Sequence, residues 1–201
     1  MGAILPNLQR TVLAGFALLL AIFIILGVIR GFPAFDKVWF IFAFRWLHVL
    51  SGVMWIGMLY YFNFVQMPSM PKIPDEQKPA VSKVIAPQAL FWFRWGAMAT
   101  IVTGLILGAL SGWLLDAILL GFTDKGTHTT IGIGMWLGTI MWFNVWFIIW
   151  PNQKIALGLV NADAAAKPKA ARTAMLFSRT NTLLSIPMLF CMIAGAHGGT
   201  M

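Results

Sequence analysis

Arg45 and His48 lie well inside an apolar stretch, Phe44 to Gln66 (FRWLHVLSGVMWIGMLYYFNFVQ). Arg45, His48, Gly52, Trp55 and Leu59 recur at i, i+3, i+7, i+10 and i+14, which puts them on one stripe of a helix. An ionisable group at membrane depth costs about 3 to about 10 kcal/mol or more, so it turns toward a partner, a cofactor or the surface. Two chemistries are open to this stripe. In one, Arg45 snorkels to the surface and His48 hydrogen-bonds a neighbouring helix. In the other, His48 ligates a metal or haem, and Gly52 leaves room for a flat ring against the backbone.

A second set of polar residues sits inside apolar runs: Asn63, Arg94, Asn144, Arg179 and Asn181. Buried amides and guanidinium groups in a helix bundle bond to one another and to helix ends. The functional alternative is an anion or quinone-like ligand held by Arg94 and Arg179, with Asn181 beside them. No acidic residue lies inside any apolar run, so these arginines lack a carboxylate partner, and a paired-acid mechanism is disfavoured. There is no G-x-x-x-x-G-K-[ST] phosphate loop, no H-E-x-x-H and no cysteine–histidine zinc spacing. The single cysteine, Cys191, excludes an internal disulfide and a C-x-x-C-H haem attachment.

The elements that must position these groups are membrane helices. The chain is 60% hydrophobic and 10% charged, against roughly a quarter charged in soluble domains, and its mean hydropathy is +0.83. Runs of about 20 apolar residues without period-2 alternation argue for helices and against barrel strands. We expect an all-α integral membrane protein, one five-helix bundle with spans near 11–29, 38–66, 87–115, 127–150 and 174–196. The first span follows Arg10 and lacks a small-x-small cleavage site before Arg30, so it reads as a retained helix. The proline-rich stretch after Met67 reads as an extended surface loop, with Pro87 opening the third helix and Pro151 ending the fourth. Pro187 predicts a kink in the fifth. Gly104, Gly108 and Gly112, and the pair Gly134 and Gly138, are small-residue ridges for close helix packing, within the chain or between copies.

Lysine and arginine set the orientation. With the N-terminus inside, Arg10, Lys72, Lys78, Lys83, Lys154, Lys167, Lys169, Arg172 and Arg179 lie inward, against Arg30, Lys37 and Lys125 outward. The bias predicts a cytoplasmic N-terminus and a periplasmic C-terminus. His48, His128 and His197 then share the outer half with Arg45, and the asparagines and Arg94 and Arg179 form an inner layer. His128 and His197 are level, whereas His48 is six to ten residues deeper, roughly 9–15 Å at 1.5 Å per residue. The net charge of +8 belongs to loops that meet anionic lipid, and needs no nucleic acid.

RWLHVLSGVMWIG (45–57), YYFNF (60–64), FRWGAMATIVTG (93–104), NVWFIIWPNQK (144–154) and SRTNTLLSIPMLFCMIAGAH (178–197) together resemble the membrane domain of the bacterial cytochrome-c-linked urate oxidase family. The resemblance covers about Arg45 to His197 and is strongest in the second and fifth helices. It implies the bacterial inner membrane, a redox context, and electrons passed to a periplasmic c-type cytochrome. Without C-x-x-C-H that cytochrome is expected on a separate chain. The family pattern commonly has histidine where this chain has Thr180, and Tyr-Pro where it has Gly198 and Gly199. The missing histidine puts the urate chemistry in doubt, and weak or absent urate turnover is expected.

Two functions follow. The first is a membrane redox protein binding haem b, with His48 as one axial ligand, His197 or His128 as the other, and Arg45 beside them; substrate would meet Arg94, Arg179 and Asn181. The second is a non-catalytic accessory or scaffold subunit of a larger membrane complex. A transporter ranks below both, since paired broken helices and intramembrane carboxylates are missing.

Overall fold

Backbone polar groups in hydrocarbon must be satisfied within their own segment, so long apolar runs become helices. The computed structural model describes residues 4–196, and its regular structure there is entirely helical. The helices are α1 (Leu8–Arg30), α2 (Lys37–Lys72), α3 (Lys78–Ser111), α4 (Leu114–Ile118), α5 (Thr129–Ala156) and α6 (Ala166–Ala196). All but α4 are long and apolar enough to cross a membrane.

The chain divides into one unit up to Phe40 and a second from Ile41 onward. In the first, Asn7 Oδ1 accepts the Arg10 N–H at 3.1 Å and caps α1. The Phe32 ring then folds back over Gly27 and lies 6.1 Å from Phe23. Asp36 Oδ1 accepts the Trp39 N–H at 3.0 Å and starts α2.

In the second unit the core is built at helical spacing. Trp55, Leu59 and Phe62 of α2 meet Leu90, Phe93 and Ala97 of α3, Met141, Val145 and Ile149 of α5, and Ala174 and Met188 of α6. The buried stripe of α6 runs Ala174, Ser178, Asn181, Ser185, Met188 and Cys191, steps of three and four. Gly134 is the close-approach point of α5 and α6: a Cβ there would stand 3.2 Å from Cys191 Cβ and 3.3 Å from Met192 N. Gly138 is buried as well, but a Cβ there would meet nothing within 4 Å, so the close approach is at Gly134. Gly112 is no ridge residue either. At φ +86 it closes α3, its N–H donating to the carbonyls of Gly108 and Ala109.

Prolines shape these helices differently from the breakers expected. Pro151 does not end α5, which continues to Ala156, and α3 begins at Lys78, upstream of Pro87. Three π-helical segments, Tyr61–Gln66, Val81–Ile85 and Asn144–Ile149, each end two residues before a proline: Pro68, Pro87 and Pro151. A proline donates no hydrogen bond and its ring crowds the carbonyl four residues back. The wider turn makes room for that ring, so the helix runs on. The proline-rich stretch is therefore mostly helical. Residues 67–72 finish α2, residues 78–86 begin α3, and a short turn separates them.

Candidate functional site

His48 is held against α3. Its Nδ1 lies 2.9 Å from the carbonyl oxygen of Thr100 and 3.4 Å from Thr103 Oγ1. A carbonyl only accepts, so Nδ1 carries the proton and Nε2 keeps its lone pair. The threonines are themselves fixed, Thr100 Oγ1 donating to the Gly96 carbonyl at 2.7 Å and Thr103 Oγ1 to the Ala99 carbonyl at 2.6 Å. Gly104 makes the approach feasible, since a Cβ there would sit 2.8 Å from the imidazole Cε1. Gly52, one turn along α2, has open space where its side chain would be. Arg45, one turn before His48, is exposed.

His128 occupies a different level. It caps the start of α5, its ring stacks on Trp113 with centroids 6.0 Å apart, and its Nδ1 bonds to Asp124 Oδ2. His48 lies beside Gly104, so roughly nine residues of α3 and its end, on the order of 14 Å, separate the two histidines. Two nitrogens on one metal are only about 4 Å apart. The structure does not bring His48 and His128 together, and His197 lies outside the described residues.

The inner polar layer divides in two. Toward the core, Asn144 Nδ2 donates to Asn181 Oδ1 at 2.8 Å, and Asn181 Nδ2 donates to the Met141 carbonyl at 2.9 Å. Asn63 Nδ2 donates to the Leu59 carbonyl and, at 2.8 Å, to Ser178 Oγ. Tyr60 and Ser185 share a hydroxyl bond of 3.0 Å. The Arg94 guanidinium lies 3.4 Å over the Trp150 ring, a cation–π contact in place of the missing carboxylate. Arg179 and Thr180, by contrast, are on the exposed side of α6, and Thr180 Oγ1 donates to the Leu176 carbonyl. The reason is register: Ser178 and Asn181 take the inward positions, which leaves 179 and 180 facing out. Arg179 is thus not gathered with Arg94 and Asn181.

Two atoms of the inner set are buried and unpaired, Asn63 Oδ1 and Arg94 Nη1. Both residues directly follow phenylalanines, Phe62 and Phe93, whose rings meet edge-on at 5.7 Å. One acceptor atom, Asn63 Oδ1, and one cationic donor atom, Arg94 Nη1, therefore stand near one level of the bundle without hydrogen bonds, although Asn63 Nδ2 is bonded and the guanidinium lies on Trp150.

A further polar cluster was not singled out from the sequence. Asp116, Asp124 and His128 each bring a possible ligand atom within 4.8 Å of the others. The D-x-x-x-H spacing of Asp124 and His128 was the available signal; Asp116 is joined to it only by the turn after α4.

Residues 111–201 match the family model described as urate oxidase N-terminal. No curated protein and no solved structure matches the chain. The matched segment takes in α4, α5 and α6, with Asn144, Asn181 and the Asp116–Asp124–His128 cluster. His48 and Arg94 lie outside it.

Proposed function

We propose that this chain is a membrane-embedded redox protein of the urate-oxidase type, with its N-terminus in the cytoplasm and its C-terminus in the periplasm of a bacterial inner membrane. The match of residues 111–201 to the urate oxidase N-terminal family carries this proposal. The unpaired atoms at the Asn63–Arg94 level support it. A planar purine anion offers N–H groups to Asn63 Oδ1 and delocalised oxygen charge to Arg94 Nη1, which suits a guanidinium fork. Asn144 and Asn181 back this level as a satisfied scaffold and have little capacity left for substrate.

His48 would hold haem b through Nε2, since the Thr100 carbonyl engages Nδ1 and fixes the tautomer and orientation of the ring, as a supporting bond does behind a metal-bound histidine. Exposed Arg45, one turn away, would supply positive charge beside it. Haem bound there would supply one-electron transfer between substrate and a c-type cytochrome. The test is urate-dependent reduction of added c-type cytochrome by membranes containing this chain, with a reduced-minus-oxidised spectrum of the purified protein. Arg94→Gln is expected to lose turnover at least tenfold with the spectrum intact, and His48→Ala to lose the spectrum. A colourless, iron-free preparation from haem-replete cells overturns the haem assignment. Urate turnover unchanged in Arg94→Gln overturns the substrate level.

The outward placement of Arg179 and Thr180 favours a second role, as a subunit of a larger membrane complex. Arg179 sits between exposed Leu176 and Leu183 on α6, and a neighbouring chain is one way to cover a cation there. Co-purification of a larger assembly in mild detergent, lost in Arg179→Leu, is the expected sign.

A further inference from the structure

We propose that Asp116, Asp124 and His128 bind one divalent transition-metal ion of the zinc type where α4 leads into α5. One donor atom from each residue lies within 4.8 Å of the other two. Zinc bonds to imidazole nitrogen and carboxylate oxygen are about 2.0–2.2 Å, so donors on a common ion stand at most about 4.4 Å apart. A small side-chain rotation closes that difference. Two carboxylates offset the charge of a dication. The imidazole favours zinc and its neighbours over magnesium or calcium, and three protein ligands leave one position for water.

The decisive feature is the second oxygen of Asp124. Asp124 Oδ2 already takes the His128 backbone N–H at 3.1 Å and the His128 Nδ1 contact. Asp124 Oδ1 is buried with no hydrogen-bond partner. The pairing of Asp124 with His128 requires neither that bare oxygen nor a second carboxylate beside it. Leaving a buried carboxylate oxygen unpaired is unfavourable, and a cation bound there removes the penalty.

The surroundings are already arranged to hold such an ion. Thr123 Oγ1 donates to Asp116 Oδ1 at 2.6 Å and orients that carboxylate. Trp113 stacks on the His128 ring at 19° between planes. The turn between them is tied by the Gly121 N–H to the Asp116 carbonyl at 2.8 Å and by Thr129 Oγ1 to the Leu120 carbonyl at 2.8 Å. Supporting bonds of this kind fix first-shell ligands in known metal sites. In binding, the ion takes the place of the hydrogen between His128 Nδ1 and Asp124 Oδ2, and a proton leaves to solvent. The bound ion would join α4 to the start of α5. It does not depend on His48, on haem or on urate.

The test uses the full chain in detergent micelles, purified without a polyhistidine tag, stripped with a chelator and titrated with Co²⁺. One equivalent of Co²⁺ should bind with visible d–d bands and be displaced by Zn²⁺. Asp124→Asn and His128→Gln should each weaken Co²⁺ binding at least tenfold, and Asp75→Asn, at an exposed position elsewhere, should leave it unchanged. Zn²⁺ should raise the melting temperature of the wild type and not of these two site variants. If either variant misfolds, Asp116→Asn decides, since its side-chain oxygen still accepts from Thr123. No saturable Co²⁺ binding by the wild type, or equal affinity in wild type and folded site variants, overturns the site.

Discussion

Asn181 uses both ends of its amide inside the bundle, accepting from Asn144 and donating to the Met141 carbonyl, and its side chain has no exposure. Removing it strands the buried Asn144 Nδ2 donor, an unpaired group costing about 1–3 kcal/mol, and leaves a cavity in the packed interior, while the Met141 carbonyl keeps the Asn144 backbone N–H. Asn181→Ala should therefore lower unfolding free energy in detergent by about 2 kcal/mol or more, measured by denaturant titration. A change under about 0.5 kcal/mol would mean the amide ladder carries no weight. His48 was visible in the sequence as an ionisable group at membrane depth. Its partner was not, because Thr100 contributes a backbone carbonyl, which every residue has. Arg94 is similar: the missing carboxylate was legible, but nothing in local spacing pointed to the Trp150 ring. Arg179 was misplaced because it shares a helix with Asn181, and two residues of separation turn a side chain to the opposite side.

At the scale of elements, periodicity and length were enough to find five long helices, since apolar runs near 20 residues leave few other structures. Proline was the misleading signal. Read as a terminator it sets the ends of α3 and α5 wrongly, because a helix can widen by one residue per turn ahead of the ring instead of stopping. Replacing Pro151 should restore an N–H to the Phe147 carbonyl. Pro151→Ala is then expected to slow amide hydrogen exchange across residues 147–152 by about tenfold, one hydrogen bond's worth of protection. Unaltered exchange would mean the wide turn is kept by its packing and not by the proline.

Across the whole molecule, the basic residues divide unevenly between the two ends of the spans, and the proposed orientation rests on that division. An alkaline phosphatase fused after Met201 should be active in the periplasm, and one fused before α1 should not. The reverse pattern would put the Asp116–Asp124–His128 cluster on the cytoplasmic side. The glycine ridges were legible as close-packing positions, but which surface each serves was not. Gly104 receives an imidazole, Gly134 receives a helix backbone, and Gly112 closes a helix. Those outcomes depend on how distant helices are set against one another, which spacing within one helix does not encode.

The wide turn ahead of each proline also bears on how such chains change over time. A residue lost from an ordinary stretch of α-helix rotates everything beyond it by about 100°, so the core-facing stripe turns away from the core. A residue lost from Asn144–Ile149 lets the widened turn relax to α-helical pitch, and the stripes on either side keep their alignment. The same holds for Tyr61–Gln66 and Val81–Ile85. These three turns are therefore where a lineage can gain or lose a single codon without refolding a span, and where gaps should collect when descendants are aligned.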